Sequence, residues 1–289
     1  MMGTTLKDVA VLAGVSRATA SLALNGKDVN EETRKKVMKA AKKLNYHKSA
    51  VARNLITGKS FTIGVYILNS ERNADLTEEC SYFYTMLKAV IEEAGCNGFS
   101  INFEVRNWID VLNNNFLTEK AYSGAIDGML IIPQYLYPYN FIGELEKAGF
   151  PYVILNPSSP VSQKHSIVID DHLGVSLVME HLASIGIRNI GFINGPGNHY
   201  DSTVRERSVM DNAVRLRLNL RSGCFCHGDF TIDSGYRAAN DMLMGGGYPE
   251  AIFCSNDYMA CGAMRALMEK GIRIPQDISV VGYDDTDVS

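Results

Sequence analysis

The chain has 289 residues, 46% of them hydrophobic, a formal net charge of −4, and six cysteines (Cys80, Cys96, Cys224, Cys226, Cys254, Cys261) without a disulfide-like or zinc-like framework, a pattern that fits a reduced, cytoplasmic setting. No stretch reaches the roughly 20 apolar residues that cross a bilayer and no apolar signal core opens the chain, which excludes a membrane partner and argues against export. Charge is divided: residues 1–60 hold 12 Lys/Arg against 4 Asp/Glu, and residues 61–289 hold 16 against 28.

The first element opens at Thr5, where Thr5-Leu6-Lys7-Asp8 matches a capping box that satisfies the free amides of a helix start. Leu6, Val9, Ala10 and Ala13 then recur at the spacing of one buried helical face, and Gly14 follows where a left-handed residue allows a sharp turn. Ser16 can cap a second helix, which runs to about Leu24 and stops at Asn25-Gly26. Two short helices joined by a tight turn, followed by a capped third, predict a helix-turn-helix whose second helix enters the major groove. A small three-helix bundle shares these features, but a basic head on an acidic body is what results when only the head meets phosphates. Lys35, Lys36, Lys39, Lys42 and Lys43 also complement the negative end of the third helix.

This head resembles that of the lactose-repressor (LacI/GalR) family of bacterial transcription regulators, and the likeness continues through Glu32-Thr33-Arg34, Leu44-Asn45-Tyr46 and Ala50-Val51-Ala52-Arg53-Asn54-Leu55. The resemblance implies that Arg17 and Ala18, with Leu22 further along the helix, face bases, while Thr5, Ser16, Thr19, Asn25, Thr33, Arg34 and Tyr46 hold phosphates and set register. Arg17 is the strong hydrogen-bonder of the presumed readers, and guanine is its commonest partner. Ala52 and Leu55 fall in the implied hinge helix, where the leucine wedges between base steps in the minor groove. The family's proline before that hinge is replaced by His47-Lys48.

From Thr62 onward, apolar runs alternate with helical stretches, the pattern of parallel sheets flanked by helices. Strands are predicted at 62–68, 100–105, 128–132, 152–155, 167–169, 190–193, 251–254 and 278–282, and helices at 82–94, 139–148, 172–185, 234–244 and 258–270. A head of about 60 residues leaves enough chain for two α/β lobes. The expected organisation is a helix-turn-helix at 1–46, a linker with hinge helix at 47–60, and lobes at 61–168 and 169–289. Ligands of such sheets bind beyond the carboxyl ends of strands, here Asn69-Ser70, Pro133-Gln134, Asn156, Asn194-Gly195, Ser255-Asn256-Asp257 and Asp284-Asp285. Amides and carboxylates suit a polyhydroxylated ligand, with Phe83, Tyr84 and Tyr135 able to cover apolar faces. Tyr135, Tyr137 and Tyr139 form a further cluster that suits stacking or packing, although Asn and Asp are equally common as turn residues and caps.

The body is similar to the family's sugar-binding core, shared with periplasmic sugar-binding proteins, through Glu180-His181-Leu182-Ala183-Ser184-Ile185-Gly186, Cys254-Ser255-Asn256-Asp257 and Ile278 to Asp285. That likeness implies effector contacts at Asn156, Arg207, Asn256 and Asp284, to which the strand ends and aromatics add Asn69 and Phe83. Arg207 would be the fixed cation. Met210-Asp211 replaces the family's glycine and aromatic after that arginine, so Arg205 stands as the alternative. The family continues for several dozen residues beyond the Gly-Tyr-Asp-Asp turn, while this sequence stops at Ser289, and a first lobe lacking its last strand is expected to leave an unpaired edge.

No Gly-x-Ser-x-Gly elbow, phosphate-binding loop or zinc-protease helix occurs, so catalysis is not expected. Asp170-Asp171 and Asp284-Asp285 read as turns with capping duties, and Cys224-Phe225-Cys226-His227 as a surface hairpin without a metal. The expectation is a ligand-gated DNA switch without cofactor: a cytoplasmic homodimer that binds a pseudo-palindromic double-stranded operator and a carbohydrate-like effector between its lobes. The alternatives are a sugar-binding protein of the same body fold and a truncated regulator that no longer senses ligand.

Overall fold

The computed structural model describes residues 4–47, 54, 57–69, 76–113, 115–136, 139–158, 163–245 and 248–289. Ala52, Leu55 and Tyr137 lie outside the described residues. The chain divides into two compact units, residues 1–60 and 61–289.

The first unit holds α1 (Leu6–Ala13), α2 (Arg17–Leu24) and α3 (Glu31–Lys43). At the start of α1 the capping box closes in both directions, with Thr5 N donating to Asp8 Oδ2 at 2.8 Å and Asp8 N to Thr5 Oγ1 at 3.4 Å. Gly14 ends the helix at φ +65°, a conformation that costs a residue with a Cβ. Ser16 caps α2 by accepting from Thr19 N at 3.0 Å, and Asn30, not foreseen as a cap, accepts from Thr33 N at 2.7 Å to start α3. Val9, Ala10, Ala20, Ala23, Val37, Ala40 and Ala41 form the small core. Its alanine content brings the three helices close together, which is how so short a segment excludes water.

The second unit carries two parallel sheets. The first has the order β2 (Ser100–Asn107), β1 (Thr62–Asn69), β3 (Gly128–Pro133), β4 (Tyr152–Leu155), β5 (Ser166–Ile167). Alternation divides its core: Tyr66, Leu68, Met129, Ile131 and Ile154 pack with Trp108 and Val111 of α5 (Trp108–Asn113), Leu117 of α6 (Phe116–Tyr122) and Leu145 of α7 (Ile142–Lys147). Val65, Ile67 and Ile132 face the other way, against Phe83, Met86, Leu87 and Val90 of α4 (Leu76–Cys96).

The second sheet has the order β7 (Asn219–His227), β6 (Asn189–Asn194), β8 (Ala251–Cys254), β9 (Ser279–Val281). Phe192 and Phe253 meet α8 (Asp171–Ser184) and α9 (Tyr200–Leu216) on one face, while Ile193, Ile252 and Cys254 meet α10 (Ile232–Met244) and α11 (Asp257–Glu269) on the other. The last two helices touch backbone to backbone: a Cβ on Gly262 would lie 1.9 Å from the Ile232 carbonyl oxygen, and one on Gly235 2.1 Å from that of Met259.

Two expectations change. Residues 224–227 are the second half of edge strand β7 rather than a surface hairpin, and Cys224 is fully buried. The register against β6 shifts between Ile190, paired with Leu220, and Phe192, paired with Phe225, and this bulge around Gly223 breaks the period-two pattern that marks a strand. The helix α9 also had no counterpart among the predicted elements, because its first two turns carry mostly polar residues that are buried at the cleft rather than an apolar stripe. Among the described residues no helix is long and apolar enough to cross a membrane, and no group of three or more His, Cys, Asp or Glu is placed to hold a metal.

Candidate functional site

On the first unit, α2 turns Ala20 and Ala23 into the core and leaves Arg17, Ala18 and Leu22 exposed. The implied base readers therefore share one solvent-facing side. Several implied phosphate contacts also hold the unit together. Ser16 and Thr19 hydroxyls lie 2.8 Å apart at the cap, Arg34 Nη2 donates to the Lys27 carbonyl at 3.0 Å and ties down the loop before α3, Asn25 Nδ2 reaches Ser21 Oγ at 3.4 Å, and Tyr46 packs half-buried against the core.

In the second unit the strand ends converge on a cleft of about 720 Å³, a figure that includes solvent at its open mouth. Phe83 from α4, Ile132, Pro133 and Gln134 at the end of β3, and Leu155 and Asn156 at the end of β4 form one wall. His199, Asp201 and Arg205 at the start of α9, with Phe230, Asn256, Tyr258, Asp284 and Thr286, form the other. Backbone bonds join the walls at one end: Tyr200 N donates to the Gln134 carbonyl at 3.1 Å and Leu136 N to that of Asn198 at 3.4 Å, while Tyr135 and His199 form an antiparallel bridge. Asn156 Nδ2 donates to Asp201 Oδ1 across the same gap.

Of the expected effector contacts, Phe83, Asn156, Asn256 and Asp284 line the cleft. Asn69 is buried at the end of β1, level with Asn107 of β2, and is not part of the lining. Arg207 is corrected: its side chain is 86% exposed and pairs only loosely with Asp211 at 4.0 Å. Arg205 is the cleft cation, because two residues further along α9 is a 200° rotation that carries the side chain from the buried face to solvent. Asn256 is already spent on the fold, since its Oδ1 caps α11 through Met259 N at 2.9 Å and its Nδ2 holds the Phe230 carbonyl at 2.9 Å. Among the aromatics, Tyr84 is exposed, Tyr135 packs edge-on against His199, and Tyr139 hydrogen-bonds Ser158 within the first-lobe core. Asp170 does cap α8, accepting from Leu173 N at 2.9 Å, whereas Asp171 is buried and accepts a hydrogen bond from Arg205 Nε at 2.8 Å.

His199 and Asp201 were not among the expected contacts. Gln134 stood at a predicted strand end, but His199 and Asp201 depend on the start of α9, which the pattern did not reveal.

The electrostatics of the cleft are dominated by one cation among several acids. Arg205 Nη1 donates to the Ser255 carbonyl at 2.5 Å, Nη2 faces Asp284 at 3.6 Å, and Tyr283 covers the guanidinium face at 4.0 Å. Burial works against its charge, but Asp171, Asp284 and Asp201 outweigh that and hold its pKa above the ordinary value. Burial pushes Asp201 up to about 6, against the pull of Arg205 and with help from Asp171 and Asp284. It does the same to Asp284, again up to about 6 against Arg205 and with help from Asp257 and Asp171. His199 is pushed down to about 3 by burial and by Arg205, so its ring is neutral.

Residues 5–49 match the DNA-binding region described as bacterial regulatory proteins, lacI family, and residues 179–289 match a periplasmic binding protein-like domain. The chain is 31% identical over 282 residues to the probable HTH-type transcriptional repressor ExuR of Bacillus subtilis (strain 168), covering 97% of this chain and 81% of the relative. It is 33% identical over 291 residues to the HTH-type transcriptional repressor PurR of Haemophilus influenzae (strain ATCC 51907 / DSM 11121 / KW20 / Rd), covering 99% and 82%. Among solved structures, the lac repressor dimer bound to operator and the anti-inducer ONPF superposes with a TM-score of 0.84 at 29% identity, covering 99% of this chain and 84% of that one. The transcriptional regulator CelR in complex with cellobiose gives 0.67 at 28% identity with the same coverage. The chain belongs to the LacI family of bacterial regulatory proteins, DNA-binding transcriptional regulators that carry a ligand-binding body.

Proposed function

We propose that this chain is a transcriptional repressor, acting in the cytoplasm as a homodimer without catalytic activity, whose hold on a pseudo-palindromic operator is set by a small sugar or sugar-like effector in the cleft of its body. The observation that carries this reading is that one chain combines an exposed Arg17-Ala18-Leu22 face on a capped second helix with a cleft whose polar groups converge between apolar walls of Phe83, Ile132 and Phe230. Phosphate contacts from the basic head supply affinity and α2 supplies sequence preference. An effector shifts operator binding only by as much as it prefers one lobe arrangement over the other. The sugar assignment is supported by the cleft's hydrogen-bonding groups and by the cellobiose complex of CelR.

The test is to select operators from a random duplex library with the purified chain, then to titrate the best duplex by fluorescence anisotropy with and without mono- and disaccharides. A two-fold symmetric site whose affinity changes at least tenfold with one sugar is the expected result. Binding with no preference among duplexes overturns the repressor reading, and sequence-specific binding that no sugar alters overturns the effector assignment.

A further inference from the structure

The cleft contains hydrogen-bonding groups that the fold leaves unused. Gln134 is 6% exposed and lines the cleft, yet its Oε1 has no hydrogen-bond partner, and His199, 8% exposed, has an unpartnered Nδ1. Asp201 accepts from Asn156 at Oδ1 alone. Buried polar groups are otherwise almost always paired, so Gln134 Oε1 and His199 Nδ1 mark where a ligand completes the network, and Gln134 through Oε1 and the neighbouring Asp201 through its carboxylate present oxygens that accept hydrogen bonds.

The donors and charges point the same way. Among the described residues the lining carries one permanent cation, Arg205, whose Nε and Nη1 are committed to Asp171 and Ser255 and whose Nη2 faces Asp284. Around it stand the carboxylates of Asp171, Asp201 and Asp284, with Asp257 behind them, held by the Thr286 amide and hydroxyl at 2.7 and 2.9 Å. His199, held neutral by burial and by Arg205, adds no positive charge. An anionic ligand would meet uncompensated acids and an arginine already neutralised.

Building on the effector reading above, we propose that Asp201 and Gln134 are ligand-contacting acceptors, and that with Asp284 and Asp171 they make this cleft select an uncharged, hydroxyl-rich ligand over its carboxylate or phosphate counterpart. Hydroxyls donate to Asp201 and to Gln134 Oε1, and the aromatic walls cover the ligand's apolar faces. The selectivity rests on ionised carboxylates, so it weakens as they take up protons near pH 5.

The experiment is calorimetry with matched probes: glucose, glucuronate and glucose 6-phosphate; galactose and galacturonate; cellobiose and cellobionate; adenosine and adenosine 5′-monophosphate. These are titrated at pH 8.0 and pH 5.0 into the wild-type chain and Asp201→Asn, whose fold is checked by melting. The expected result is a neutral probe bound at least tenfold tighter than its acid or phosphate at pH 8.0, with that ratio falling at least threefold at pH 5.0 and in Asp201→Asn. An anionic probe bound as tightly as its neutral partner by the wild-type chain at pH 8.0 overturns the inference alone. A ratio that ignores both pH and the substitution removes Asp201 from it, the pH series serving where the variant does not fold. Silence across the whole panel overturns the effector reading and this inference with it.

Discussion

Arg205 Nε donates to Asp171 Oδ1 at 2.8 Å with both side chains almost wholly enclosed, 6% and 1% exposed. The bond links the second turn of α9 to the first residue of α8 and fixes the guanidinium beneath Tyr283, where Ser255 and Asp284 take its other nitrogens. A buried pair of this kind sets geometry more than it adds stability, because desolvation cancels much of the attraction.

Removing one partner of that pair is therefore costly. Arg205→Ala strands Asp171 in the interior and is expected to lower unfolding free energy by about 3–5 kcal/mol. Arg207→Ala, on the solvent side of the same helix, should change it by less than about 0.5 kcal/mol. Urea denaturation of the two variants compares them directly. Equal losses would mean that Arg205 is not the buried cation of the cleft.

The Asp201 carboxyl gives a pH signature. Its folded-state pKa is raised from 3.8 to about 6, so between those values the folded chain holds a proton that the unfolded chain has released. Stability thus falls as pH rises through that window, and above it the ionised group is unfavourable. Asp201→Asn keeps the acceptor for Asn156 and removes the charge. Melting curves at pH 7.5 should show the variant more stable by about 1–3 kcal/mol, a rise of several degrees, with the advantage fading below about pH 4. A variant that loses stability at pH 7.5 would show that the attraction to Arg205 outweighs burial.

The proposed operator reading centres on Arg17. Its side chain is exposed at the first position of α2, and losing a bidentate contact to guanine is worth about 1–3 kcal/mol of discrimination. Arg17→Ala should weaken binding to a selected operator roughly 5- to 150-fold while changing binding to random duplex far less. Anisotropy titrations at one fixed salt concentration read both. An equal loss on both duplexes would make Arg17 a phosphate contact.

Packing of the second lobe depends on Gly262. A methyl there would overlap the Ile232 carbonyl, so Gly262→Ala must push α10 and α11 apart and is expected to cost at least about 3 kcal/mol, although alanine favours an isolated helix. Circular dichroism melting measures it. A variant as stable as the wild type would mean that the two helices separate freely.

Elements bounded by local chemistry were legible before any fold was known. The capping box at Thr5, the turn at Gly14 and the Ser16 cap act within a few residues of chain, and β1, β3, β6 and β8 announce themselves as largely buried apolar runs. The start of α9 was not legible, because its buried residues are Ser202, Arg205 and Ser208 rather than an apolar stripe. The resemblance pointed to Arg207 with Arg205 as the alternative, and the rotation of this helix decides between them. The edge strand β7 was obscured by its bulge, which shifts the alternation midway.

Caps, turn residues, the division of charge and the alternation of buried runs and helices are properties of neighbours along the chain, so the sequence by itself determined a helix-turn-helix head, a two-lobe parallel α/β body and the strand ends that border its cleft. Which side chains face that cleft, and which are spent on the fold, only the tertiary structure decided. The rotation of α9 selects Arg205 over Arg207, the caps of α11 consume Asn256, and the approach of β3 to the start of α9 brings Gln134, His199 and Asp201 together. Those outcomes depend on residues tens of positions apart meeting in a low-dielectric interior, where burial and neighbouring charges, rather than residue type, set what each group can bind.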